Sequence, residues 1–380
     1  PREGYVRLYE SKMIWVLDHR YGDFKGATQA NLNQGTLPQV SVEDKKNPNF
    51  HVSTRYYVSQ QETSNRLSFT DQKWLLGFRD VTNSASERTA IFSIIPKVGV
   101  GNNLPLLFID NNHKDLFPLI LGCLTTLVFD FVVRQKIAGL HMNFFFVKQL
   151  PVLVPSKYHQ SDLDFITPRI LELVYTSYDL KSFAEQLEYH GKPFSWNEDR
   201  RALLRAELDA YYAKLFGLTR DEFRYILDPQ DVYGPDFPAE TFRVLKEKEI
   251  KQYGEYRTRR LVLEAWDRLE GVEVGNPDDH LSQWAAVKPK QETISVAQPK
   301  PESQPAPVQT QLPATAKPPL PVTPPTKVIK EIDPPVDQPT LTDFGLYKCE
   351  VCGKMVMGFE KANHEREKHG GMSVQWKKVR

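Results

Sequence analysis

The chain has 380 residues, with 49 Lys and Arg against 48 Asp and Glu, a formal net charge of +1. So even a balance excludes a polycation that coats nucleic acid through global charge, and any such surface must come from local patches. Three cysteines exclude a disulfide scaffold and suit a reducing, cytosolic setting. The opening "PREGYVRLYE" shows neither an initiating Met nor a secretory signal, so a piece of a longer protein is expected.

Residues 1–162 alternate short β-rich runs with polar turns. "AIFSIIPKVG" (90–99), "LPLLFI" (104–109) and "FFFVKQLPVLVP" (144–155) read as strands, bounded by Gly, Pro and Asn. Between them "LFPLILGCLTTLVF" (116–129) is the most apolar stretch. It is shorter than a membrane span and carries a proline, so a buried helix is expected and no membrane contact. This is a mixed α/β domain.

Over 163–270 the period becomes helical. Ser195 and Glu198 are spaced as a capping box, and Leu204, Leu208, Tyr211 and Leu215 follow on one helix face. Gly217 closes that helix, and Thr219 with Glu222 opens the next. "TFRVLKEKEIKQYGEYRTRRLVLEAWDRLE" (241–270) is amphipathic, with Gly254 as a break and a basic face that reads as solvated. Residues 271–340 are Pro-rich, interleaved with Ser, Thr, Gln, Ala and Lys, and read as a disordered tether.

Residues 341–380 read as a small zinc module. Cys349 and Cys352 are two residues apart, and His364 and His369 follow in "EKANHEREKH", a good helix former. Two thiolates on a knuckle and two imidazoles one turn apart close a tetrahedron around Zn2+. A segment this small takes most of its folding free energy from the metal. The tail resembles Cys2His2 fingers, with Tyr347 two residues before Cys349, but Val356 stands at the usual aromatic position and the Cys–His gap is one residue short. A closed four-ligand set leaves no position for water, which argues against a zinc hydrolase.

No catalytic pattern is present. An amino-methylating loop needs Pro-Pro-aromatic; "NPNF" (47–50) lacks the second proline, and "DPPV" (333–336) lacks the aromatic. "GVGNN" (99–103) is neither GxGxxG nor a Walker loop, and reads as a tight turn.

Five ordered blocks carry a resemblance. They are "LYESKMIWVLDHRYGDF" (8–24), "GFRDVTNSASERTAIFSIIPKVGVGNNLPLLF" (77–108), "FVVRQKIAGLHMNFFFVKQLPVLVP" (131–155), "RRALLRAELDAYYAKLFGLTRDEFRYILDP" (200–229) and "YGPDFPAETFRVLKEKEIKQYGEYRTRRLVLEAWDRL" (233–269). Together they resemble the C-terminal half of single-chain bacterial restriction–modification adenine-N6 DNA methyltransferases and their relatives in DISARM-type phage defence. The resemblance implies a target-recognition domain for double-stranded DNA. An upstream domain of the intact enzyme would then bind S-adenosylmethionine and transfer the methyl group. The other reading is a non-catalytic adaptor, whose tethered zinc module docks a defence-system protein.

Basic and amide side chains within these blocks are the candidates for phosphates and base edges. They are Lys12, His19 and Arg20; Arg79 and Arg88; Lys97, Asn102 and Asn103 around the glycine turn; and His141, Asn143 and Lys148. The competing structural roles pair Arg79 with Asp80, Arg88 with Glu87, and His19 near Asp18. Phe144, Phe145 and Phe146 are expected in the core.

Overall fold

A computed structural model describes residues 3–109, 116–137, 139–237, 241–270, 346–352, 355–357 and 374–378. The 271–340 tether, His364 and His369 lie outside the described residues.

Strand β1 (Tyr5–Tyr9) opens the chain, and the short helices α1 (Gln29–Asn33) and α2 (Val42–Lys46) follow, each capped by the preceding Thr28 or Ser41 hydroxyl. Next come β2 (Tyr57–Ser59), α3 (Gln60–Arg66), β3 (Trp74–Phe78), β4 (Phe92–Pro96), β5 (Gly99–Val100) and β6 (Leu106–Leu107). They form two three-stranded sheets, ordered β2-β1-β5 and β4-β3-β6. All residues of β3 and β4 are buried, which explains why these strands read as unbroken apolar runs rather than alternating ones. From β4 the chain crosses to the first sheet at β5, parallel to β1 through Leu8↔Gly99 and Tyr9↔Val100. It then returns to the second sheet at β6.

The apolar run at 116–129 is a buried helix broken in two. Helices α4 (Phe117–Thr125) and α5 (Leu127–Lys136) meet at 62°, where Thr126 leaves the helix and its hydroxyl caps α5 at Phe129 N–H. Among the described residues no single helix is long and apolar enough to cross a membrane; this bent pair passes only by length and composition, and its residues are almost all buried.

"FFFVKQLPVLVP" is not a strand. It begins with a single turn, α6 (Phe144–Val147), capped by Asn143, and continues without regular structure. Phe144 and Phe145 are 44% and 69% exposed instead of buried. A short aromatic run reads alike for a strand and a helical turn, and Pro151 and Pro155 prevent it from joining a sheet.

Helix α7 (Gln160–Val174) runs across the expected 162/163 boundary, followed by α8 (Lys181–Gln186) and α9 (Glu198–Leu215). The cap of α9 is Asn197, not Ser195: its side chain accepts Arg200 N–H, while Glu198 accepts the Trp196 indole N–H at 2.8 Å. The Thr219–Glu222 box does open α10 (Arg220–Leu227), after Gly217 at φ +74°. Then come α11 (Pro229–Tyr233), α12 (Arg243–Tyr253) and α13 (Arg257–Glu270), with Gly254 at φ +77° closing α12 as expected.

One apolar core joins the strands to these helices. It runs from Tyr9 and Trp74 through Phe129 to Leu204 and Trp266. Trp74 packs edge-on to Phe117 and Phe183 and donates to Gln186, tying β3 to α8. Arg201 lies 3.8 Å from the Trp196 ring centre and donates to the carbonyls of Leu173 and Leu17, tying α9 to the N-terminal segment. Strands and helices from Tyr9 to Trp266 thus contribute described residues to this one cluster.

Near the C-terminus β7 (Leu346–Cys349) pairs antiparallel with β8 (Met355–Met357) and with β9 (Trp376–Lys378).

Candidate nucleic-acid interface

The candidate site forms where β3 runs on past Phe78 and its neighbour changes. On one edge of this strand Phe78 N–H and Asp80 N–H donate to the carbonyls of Pro105 and Asn103, continuing the β6 side. Beyond that point the 101–105 turn leaves, and residues 140–142 take its place. Met142 N–H donates to Asp80 O at 2.7 Å, and Thr82 N–H to Leu140 O at 3.0 Å. The gap between the departing turn and the arriving segment is an open cleft of about 460 Å³.

The "GVGNN" turn holds one wall. Gly101 N–H donates to Tyr9 O, and Leu104 N–H closes back on Gly101 O, so Asn102 and Asn103 sit exposed at the tip. The other wall is Asn143 and Phe144. Asn143 Oδ1 accepts the N–H groups of Phe145 and Phe146 at 3.0 and 3.4 Å, which fixes its carboxamide. Phe144 rests edge-on against Phe78, 5.7 Å between ring centres. Leu104, Pro105 and Leu106 form an apolar lining, and Asp80 is the single ionisable group among the lining residues. Its carboxylate lies 2.7 Å from Nδ1 of His141, whose side chain is 60% exposed.

The fold therefore brings Asn102 and Asn143 together in one cleft, with Asn103 and His141 on its rim. Lys148 is exposed just beyond α6. The remaining candidates lie elsewhere, and most are committed to internal bonds. Arg20 is fully buried and donates to the carbonyls of Asn47, Phe50, Lys45 and Thr176, with burial holding its pKa below the ordinary value. His19 is buried against Asp179 at 2.8 Å. Arg88 bonds buried Asp130 at 2.6 Å and the carbonyls of Thr125 and Thr126. Arg79 donates to Ile14 O and lies over the rings of Trp15 and Tyr21; burial pushes its guanidinium down to about 10. Lys97 reaches Thr70 O, and burial lowers its pKa. Lys12 pairs with Glu10 at 3.3 Å and stays half-exposed.

Two cleft residues escaped the candidate set. Asp80 had no signal of its own beyond its position beside Arg79. Phe144 had one: Asn143 is a good helix cap directly before the aromatic run, which favours a turn over a strand.

At the tail, Cys349 ends β7 and Cys352 sits in the turn that follows it. Cys349 is buried and Cys352 exposed. Glu350 N–H donates to Gln375 O, extending the β7–β9 pairing. Cys349 and Cys352 are the two of the four expected zinc ligands that lie among the described residues. Among the described residues no group of three metal-binding side chains occurs. No protein-family model, curated protein or solved structure matches this chain.

Proposed function

We propose that this chain is the DNA target-recognition region of a site-specific adenine-N6 methyltransferase of a restriction–modification or phage-defence system. The five ordered sequence blocks support the reading, and one observation carries it in space. Candidates from separate blocks, Asn102 and Asn143, line one open cleft, with Asn103 next to Asn102 and His141 bonded to the cleft's Asp80. The Asn102 carboxamide suits a base edge, since Asn pairs bidentately with adenine N6 and N7, and the Asn143 amide nitrogen offers a second donor. Lys148, Lys12 and His141 supply phosphate contacts. Methyl transfer and S-adenosylmethionine belong to an upstream domain, and no residue described here is assigned to either. The proposed compartment is the cytoplasm.

The zinc module would be held by Cys349, Cys352, His364 and His369, with zinc supplying the folding free energy of the tail. On its tether it serves as an accessory clamp on DNA or a knob for a defence-system protein, because one finger spans only about three base pairs.

The test is fluorescence anisotropy of the full chain on duplex DNA at rising salt. Target recognition expects a cognate duplex to outbind random duplex, and Asn102→Ala with Asn143→Ala to narrow that gap. Lys148→Ala is expected to weaken all duplexes alike and flatten the salt slope. Equal, wholly salt-driven binding of every duplex would favour the adaptor.

A further inference from the structure

The cleft is unlike a phosphate site. None of its lining residues is Lys or Arg, and Asp80 places a carboxylate in its wall. An anion would be repelled there. The lining instead offers one aromatic face, Phe144, an apolar lining of Leu104 and Leu106, and three polar groups of mixed character, Asp80, Asn102 and Asn143. Among the described residues the Asn102 side chain makes no hydrogen bond, and the Asn143 amide nitrogen has no acceptor, its oxygen being engaged by the α6 backbone. A flat heterocycle with exocyclic amino and ring-nitrogen groups meets each of these demands. Its face stacks on Phe144, its amino group donates to Asp80, and its ring acceptors take the carboxamide N–H groups. The volume lies within the range of small-molecule pockets.

A base inside a duplex has both faces covered by its neighbours and cannot lie on Phe144. We propose that this cleft takes one nucleobase out of the helical stack, with Phe144 as the stacking surface and Asp80, Asn102 and Asn143 reading its edge. This deepens the DNA-recognition reading and rests on it. It makes Phe144 a specificity-determining residue of that site.

The experiment uses the full chain and two short duplexes of one sequence, one fully paired and one carrying a single bulged 2-aminopurine. Base–aromatic stacking leads to tighter binding of the bulged duplex by about tenfold, with quenching of the 2-aminopurine fluorescence. Phe144→Ala should erase the preference and the quenching, weakening the bulged duplex by more than it weakens the paired one. Phe144→Leu, which keeps bulk against Phe78, should lose the quenching too, separating stacking from a packing role. Equal binding of the two duplexes, or equal weakening of both by Phe144→Ala, would overturn the inference and leave duplex recognition standing. If neither duplex binds, the DNA reading fails, and free 2-aminopurine riboside decides the pocket. Quenching by the unmodified chain and not by Phe144→Ala upholds it; no quenching overturns it.

Discussion

Arg88 was a candidate for DNA contact on sequence grounds, and its position in the fold gives it a different task with a measurable size. Its Nε lies 2.6 Å from Oδ2 of Asp130, which is fully buried, and its Nη2 donates to the carbonyls of Thr125 and Thr126, where α4 breaks into α5. Replacing Arg88 with Ala removes its bond to Asp130 and one donor from each of two buried carbonyls, of which Thr126 O keeps the Asp130 N–H at 3.0 Å. Asp130 would still keep Arg134 Nε at 2.8 Å and Thr89 N–H at 3.1 Å, so its charge is not stranded. The cost therefore falls at the lower end for a broken buried pair, about 3–4 kcal/mol. For a body of this size that is a fall in Tm of about 6–16 °C. Arg88→Lys keeps a charge without the planar fork and should recover less than half of the loss. Urea unfolding followed by tryptophan fluorescence measures it, with anisotropy on duplex DNA run on the folded fraction. A loss below about 1 kcal/mol together with weakened DNA binding would refute the structural role.

Two carboxylates set opposing pH dependences. Burial pushes Asp209 up from the ordinary 3.8 to about 6, against the Leu127 N–H it accepts. The folded state holds this proton more tightly than the unfolded chain, so the group's contribution falls as pH rises from about 4 to 6, by up to about 3 kcal/mol. Asp209→Asn should flatten that slope, and unchanged slopes in urea titrations would contradict it. Burial alone would raise Asp179 as well, but His19, His51 and Ser177 bonded to it hold it well below the usual carboxylate range. Its contribution is present above about pH 4 and lost as pH falls further, so Asp179→Asn should be destabilised at neutral pH and show a shallower acid limb. An acid limb as steep as that of the unmodified chain would rule this out. For the tail, elemental analysis of the full chain should find one zinc per molecule, and Cys349→Ser should lose it without moving the main unfolding transition. Equal zinc content in both proteins would remove the knuckle.

Local signals in the sequence reported local structure well. Thr219 and Glu222 cap α10, Gly217 and Gly254 take positive φ at helix ends, and the 116–129 run is a buried helical segment. Pairings across the chain were not legible. His19 bonds Asp179, 160 residues away, rather than adjacent Asp18; Arg88 bonds Asp130 rather than Glu87; Arg79 bonds Ile14 O rather than Asp80. Neighbours in sequence are the only partners a linear reading can offer, while burial selects partners through the fold. The same limit governs the site. Asn102 and Asn143 were visible as residues, but their meeting depends on one β3 edge exchanging the 101–105 turn for residues 140–142. No spacing rule contains that exchange. At α9 both Ser195 and Asn197 are competent caps, and the choice fell to Asn197 because Trp196 engages Glu198.

Target recognition is tested most directly by incubating the full chain with a pool of random duplexes and sequencing what is bound at low and at high salt. A short enriched motif that persists at high salt, and that changes or disappears with Asn102→Ala and Asn143→Ala, is the expected result. Binding that shows no enrichment and vanishes as salt rises would contradict it, leaving a sequence-blind phosphate surface.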